Sequence, residues 1–346
     1  MLNINPYLER FIFDELKAQY DPVPIAALHN LDNNEQQSQR YLGTYFPRSF
    51  VESYNIFYRL FNQEEIYKNF IGKKKINILN IGSGSGGDLF GLIEAMKDFF
   101  PLETIMTNII SIDGNVNAVS YQKKIYEQLY QNSNNHLSVM EQKFEDRYDF
   151  EEKISKILRN SNEQFDIILT FKFISEFYNR DYELNRGLYH SFIKQSYDYL
   201  TPEGMLIIED VTNQIMENQK NNIFGERNFI GKIMNKEITD YMKQNNGKLG
   251  CLIPICCYHW YEECQDNLEC FHQKIFNINH RMNHKDISKI TYKVLAHTDF
   301  VDKVMQRIDK QECYQIAPER YCINGTYHYK ELNVINDTAY DAFSLR

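Results

Sequence analysis

The sequence predicts an α/β protein built on a doubly wound sheet, and three observations carry that prediction. Short apolar runs alternate with helix-length segments between residues 76 and 212. The first run opens directly into a glycine loop, Ile81-Gly82-Ser83-Gly84-Ser85-Gly86-Gly87, and the second ends in an acid, Asp113. Strands and helices alternating at these lengths form right-handed βαβ units and a parallel sheet.

Residues 1–72 read as a helical extension. Tyr41 to Phe61 places apolar residues at helical spacing, with Pro47 near a helix start, and Asn33 to Gln39 reads as a polar loop. Ile76 to Ile81 is an apolar run bounded by turn signals, the pattern of a buried parallel strand. Asp88 to Phe99 is then a helix and Ile109 to Asp113 a second strand. A helix follows to about Gln131, and His136 to Gln142 is the third strand. Phe165 to Phe171 is the fourth strand, Tyr189 to Leu200 a helix and Thr201 to Gly204 a turn. Met205 to Asp210 is the fifth strand. A helical stretch runs to about Gln244, and a Cys-rich segment, 251–272, is inserted before the last strands at Ser288 to Ala296 and Tyr321 to Val334. At 346 residues the chain has room for about two domains. The expected division is the extension, 1–72, and an α/β domain, 73–346.

Composition narrows the function. No run reaches the length of a transmembrane helix, and Met1 to Arg10 lacks an apolar signal centre, so a cytoplasmic location without membrane contact is expected. A net charge of −9 disfavours a protein that coats nucleic acid through bulk charge. Lys274 to Lys293 gathers Lys274, Arg281, Lys285, Lys289 and Lys293 near His280 and His284, and reads as a solvated helix.

Backbone N–H groups in a glycine loop between strand and helix can approach a ligand closely. Gly82, Gly84 and Gly86 give G-x-G-x-G, while Gly82, Gly84 and Gly87 fit the dinucleotide spacing, so the glycines alone leave nicotinamide and S-adenosylmethionine both open. Asp113 stands where a carboxylate accepts both ribose hydroxyls. The series then continues through Phe165-Asp166-Ile167-Ile168 and the turn Leu200-Thr201-Pro202-x-Gly204. Taken together, residues 76–212 resemble the class I S-adenosylmethionine-dependent methyltransferases, which have a Rossmann-like sheet. That resemblance implies S-adenosyl-L-methionine as cofactor. Gly82, Ser83, Gly84 and Gly86 would then face its methionine and ribose, Asp113 would hold the ribose hydroxyls, and Glu145 or Asp146 would lie near the adenine. Asn80 sits where the family carries an acid. Phe171, Lys172, Ser175 and Glu176 would line the reaction cleft. They do not form the Asn/Asp-Pro-Pro-aromatic motif used on amino groups of bases. Transfer of a methyl group depends mainly on proximity and orientation, and the sequence shows no catalytic dyad.

All seven cysteines lie between Cys251 and Cys322. Cys251, Cys256, Cys257, Cys264 and Cys270, with His259 and His272, suit either a thiolate metal site or buried thiols, and no metal ligand is assigned. Tyr45 to Phe50, Phe165 to Phe177, the Cys segment ending Glu269-Cys270-Phe271-His272, and Ile290 to Leu295 are similar to the small-ribosomal-subunit methyltransferase-like family. In that family spaced cysteines hold an iron–sulfur cluster, which implies Cys257, Cys264, Cys270 and either Cys313 or Cys322; its Cys-Pro-His pattern is missing here.

The leading expectation is methyl transfer to a small-molecule or protein acceptor, with RNA or the ribosome disfavoured by charge. A non-catalytic S-adenosylmethionine-binding assembly factor and an NAD-linked oxidoreductase are the alternatives.

Overall fold

The computed structural model describes residues 2–22, 31–132, 134–213, 215, 229–253 and 274–306. They fall into two compact units, Met1–Phe144 with Ile275–Ser288, and Glu145–Lys274 with Lys289–Arg346.

In the first unit, β1 (Leu2–Asn3) and α1 (Pro6–Arg10) precede a long helix, α2 (Glu35–Phe61), and α3 (Glu64–Ile71). Helix α2 starts earlier than the sequence suggests. Asn34 accepts from Gln37 N at 3.0 Å while Gln37 Oε1 accepts from Asn34 N at 2.9 Å, a reciprocal capping box. The expected loop at Asn33 to Gln39 is therefore largely the first turn of the helix. Pro47, expected near a helix start, lies inside it. The hydrogen bond it removes is offset by packing: Leu42, Phe46, Phe50, Ile56, Phe57, Leu60 and Phe61 are all buried, each worth about 1.5–3 kcal/mol.

The strands β2 (Lys75–Ile81), β3 (Met106–Asp113) and β4 (Asn135–Glu141) form a parallel ladder in the order β2-β3-β4, with α4 (Gly87–Phe99) and α5 (Val116–Ile125) as crossovers. Ile76, Ile78, Leu79 and Ile81 are all buried, consistent with a strand covered on both faces. Helix α4 lies tight against α2. A Cβ on Gly87 would stand 2.7 Å from the Phe46 carbonyl oxygen, and one on Gly91 would stand 2.3 Å from that of Phe50.

The second unit opens with α6 (Arg147–Ser161) and β5 (Phe165–Phe171). Three helices follow, α7 (Ile174–Arg180), α8 (Tyr182–Asn185) and α9 (Leu188–Ser196), and then β6 (Leu200–Val211). Later in the chain come α10 (Ile230–Gln244), β7 (Leu249–Ile253), β8 (Lys274–His280), β9 (Asn283–His297) and α11 (Thr298–Met305), of which Ile275–Ser288, most of β8 and the start of β9, belongs to the first unit. Strand β6 pairs parallel with β5, Ile167 opposite Met205, and antiparallel with β9, Met205 opposite Ala296; β7 also pairs antiparallel with β9. The expected turn at Thr201 to Gly204 belongs to β6 and takes the form of a register shift between Phe165 and Ile167.

The basic stretch is not a solvated helix. It forms β8 and β9, with Lys274, His280 and Lys293 buried. In the first unit Arg281 pairs with Asp14 at 2.5 Å, and Asp286 receives Arg48 through Nε at 2.8 Å and Nη2 at 2.7 Å. Cys251 is a buried free thiol in β7. Cys256, Cys257, Cys264, Cys270, Cys313 and Cys322, with His259 and His272 and the expected strand at Tyr321 to Val334, lie outside the described residues. Among the described residues no helix is long and apolar enough to cross a membrane.

Candidate functional site

The glycine loop begins where β2 ends. Gly82 N and Ser83 N both donate to the Ile112 carbonyl, at 2.9 and 3.0 Å, which turns the chain over the end of β3. Gly84 and Gly86 have φ of +52° and +86°, left-handed values that favour glycine. At Gly86 a Cβ would also strike Gln122 at 2.8 Å. Gln122 Nε2 in turn donates to Ser83 Oγ at 3.1 Å, tying α5 to the loop.

Asp113 is buried at the end of β3. Its Oδ2 accepts from Gly84 N at 2.8 Å and its Oδ1 from Asn115 N at 2.8 Å. Burial raises its carboxyl above the usual range, and the N–H groups of Asn115, Gly84 and Gly114 oppose that rise. A carboxylate offers about four lone-pair sites, so sites remain for a vicinal diol after the backbone donors are served. On the loop side a Cβ at Gly84 would meet the Tyr41 ring of the helical extension at 3.6 Å, an ordinary contact distance, so that ring covers the loop here. In its acceptor chemistry Asp113 suits the ribose diol at the nucleoside end of S-adenosylmethionine.

Of the cofactor residues expected from the sequence, Asn80, Gly82, Ser83, Gly84, Gly86 and Asp113 lie in the first unit. Asn80 is fully buried at the end of β2, and its amide lies against Asp88 in the first turn of α4. Burial pushes the Asp88 carboxyl up to about 7, with Asn80 and the Leu89 N–H opposing. Sequence reasoning passed over Asp88, although an acid one residue past a glycine loop was a visible signal. Glu145 and Asp146 belong to the second unit. There Asp146 caps α6, accepting from Tyr148 N at 2.8 Å and Asp149 N at 3.0 Å, and Glu145 N donates to Asp149 at 2.8 Å.

Phe171, Lys172, Ser175 and Glu176 also lie in the second unit, between the end of β5 and α7. Lys172 has φ +56°, a strained value for a side chain of this size. It is held by its N–H, which donates to the Glu209 carbonyl at 2.9 Å, and by Nζ, 3.7 Å from the Glu209 carboxylate. Ser175 N and Tyr189 OH donate to Asp210 Oδ2 at 2.9 and 2.8 Å. Burial raises the Asp210 carboxyl; these bonds work against it. Glu209 and Asp210, both fully buried, were missed by sequence reasoning, although two acids closing an apolar strand are a readable oddity. Deeper in this unit, Glu237 accepts from Tyr178 OH at 2.7 Å, Gly187 N at 2.7 Å and Tyr189 N at 3.0 Å, covering the N-terminus of α9. Among the described residues no group of His, Cys, Asp and Glu is placed to hold a metal ion.

Comparison with known proteins adds the family. A methyltransferase domain matches residues 72–247, just over half of the 346. No curated protein matches the chain in sequence. Similar solved structures include an S-adenosylmethionine-dependent methyltransferase from Clostridium acetobutylicum, 11% identical, covering 71% of this chain and 91% of that one at a TM-score of 0.37. TehB from Haemophilus influenzae is 14% identical, with 76% and 66% covered at 0.37. A precorrin 8W decarboxylase from Methanobacterium thermoautotrophicum is 11% identical, with 71% and 89% covered at 0.36. The domain match carries the assignment: the chain, with its α/β sheet, belongs to the methyltransferase-domain family.

Proposed function

We propose that the chain binds S-adenosylmethionine at the glycine loop and transfers its methyl group to a small-molecule or protein acceptor. The observation that carries this reading is Asp113, fixed by Gly84 N and Asn115 N at 2.8 Å each inside the domain that matches the family. When bound, the cofactor supplies an activated methyl on a sulfonium. The chain's own part is to hold the nucleoside through Asp113 beside the glycine loop, so that the reactants meet in a fixed orientation. Phe171, Lys172, Ser175 and Glu176 are the residues we assign to the acceptor. The net charge of −9 supports an acceptor other than RNA.

Calorimetry with S-adenosylhomocysteine and with NAD tests the cofactor. Binding of the first and not the second is expected; the reverse preference would return the chain to the oxidoreductase reading. Turnover of labelled S-adenosylmethionine against pools of metabolites, peptides and RNA then separates an enzyme from an assembly factor that binds the cofactor without using it.

A further inference from the structure

Beside Asp113 lies a small cavity in the first unit, walled by Gly84, Asn115 and Tyr121 and, from the helical extension, Ser38 and Tyr41. Among the described residues, its fully buried side-chain polar atoms have partners within the fold, with one exception. Asp113 has its two backbone donors, Asn115 Oδ1 accepts from Ala118 N at 2.9 Å, and Ser38 Oγ donates to the Asn33 carbonyl at 3.4 Å. The exception is Tyr121. The residue is only 5% exposed, and its hydroxyl has no hydrogen-bond partner among the described residues.

A buried hydroxyl without a partner destabilises the fold that contains it. Phenylalanine would fill the same space on the buried face of α5, beside Ala118, Gln122 and Ile125, without that penalty. Folding alone therefore gives no reason for the oxygen. The residue's place gives one, because Tyr121 lines the same cavity as Asp113, whose carboxylate is assigned to the ribose.

We propose that Tyr121 is a binding residue for the cofactor, its hydroxyl hydrogen-bonding the ribose that Asp113 also holds. This rests on the cofactor reading given above. The free space at the centre of the cavity is about 10 Å³, close to one water. A ribose is larger, so the half-buried Tyr41 ring, which faces Gly84, turns outward to admit it. The helical extension is then part of the cofactor site as well as a support for the sheet.

Tyr121→Phe tests this on the full chain, with S-adenosylhomocysteine as probe and Asp113→Asn as reference. The variant should bind about three- to tenfold more weakly, the effect of one neutral hydrogen bond, while melting at or above the wild-type temperature. A structural hydroxyl would give the opposite melt. With the 2′-deoxy and 3′-deoxy analogues of 5′-methylthioadenosine, the loss on removing the hydroxyl should shrink for at least one of them. Wild-type affinity in Tyr121→Phe, alongside weakened binding in Asp113→Asn, overturns the proposal and leaves the cofactor reading standing. A lowered melt, or an equal loss with both deoxy analogues, also overturns it. A wild type that does not bind S-adenosylhomocysteine overturns both.

Discussion

Gly91→Ala probes the contact that fixes the helical extension beside the glycine loop. Inside a helix, alanine ordinarily gains about 0.5–1 kcal/mol over glycine. At this position the added Cβ would stand 2.3 Å from the Phe50 carbonyl oxygen and 3.0 Å from Ser53 Cβ and Tyr54 N. The obstacle is mainly the backbone of α2, so no side-chain rotation relieves it. The helices must part by about 1 Å before the contact becomes an ordinary one. Overpacking of this kind costs about 1–3 kcal/mol and outweighs the propensity gain. The expected net loss is about 1–2 kcal/mol, or roughly 2–6 °C in melting temperature. Gly72→Ala is the matched control, since its nearest obstacle is the Lys68 carbonyl at 3.7 Å, and its melt should stay near wild type. Scanning calorimetry of both variants at one pH decides the matter. A Gly91→Ala protein that melts at or above wild type would show that α2 and α4 do not touch at this point, and the account of Pro47 inside α2 would lose its support.

Two further outcomes follow from the same unit. Asp113→Ala removes the acceptor of the Gly84 and Asn115 N–H groups, so it should lower stability by about 1–3 kcal/mol and weaken S-adenosylhomocysteine binding tenfold or more; an unchanged melt would mean the carboxylate does not anchor the loop. Asp88 is raised to about 7 from 3.8, so the folded chain binds the extra proton and the associated stability is present at acid pH and lost as pH rises from about 4 through 7. Asp88→Asn should remove that slope and melt higher than wild type at pH 8, by an amount on the order of 1–4 kcal/mol; parallel melting curves from pH 5 to 8 would refute the burial argument.

Much of the sheet is legible in the sequence because burial on both faces makes its strands plain. Phe165 to Phe171 has the expected ends, and Ile76 to Ile81 gains only Lys75. The parts that were misread are those where tertiary contacts override a local signal. Pro47 reads as a helix start because its ring removes one backbone bond, yet Phe46 and Phe50 meet Gly87 and Gly91 closely enough to carry the helix through it. Lys274-Ile275-Phe276-Asn277-Ile278-Asn279-His280 alternates as a strand should, but its buried face begins with a lysine and ends with a histidine, so polarity hides the period. The site divides in the same way. Glycines with positive φ and an acid at a strand end leave a mark on the sequence. Tyr121 leaves none, since a tyrosine on the buried face of α5 looks like any core aromatic until its hydroxyl is found without a partner.

Asp113 shows why a binding residue cannot be separated from the fold that presents it. Read as a ligand contact alone, it should be removable with little loss of stability. The structure corrects that expectation, because the same carboxylate closes the glycine loop through Gly84 N and sets the start of α5 through Asn115 N. Only an acid of this length does both, since each oxygen meets its donor at 2.8 Å and an added methylene would displace them. Asparagine at 113 would keep one acceptor and turn an amide N–H toward one of two backbone N–H groups. The loop and the ribose site therefore weaken together in any substitution at 113. Tyr121 differs in kind: its hydroxyl holds nothing in the fold, so affinity and stability should move in opposite directions when it is removed. The pair of residues thus separates what the site needs for its shape from what it keeps for its ligand.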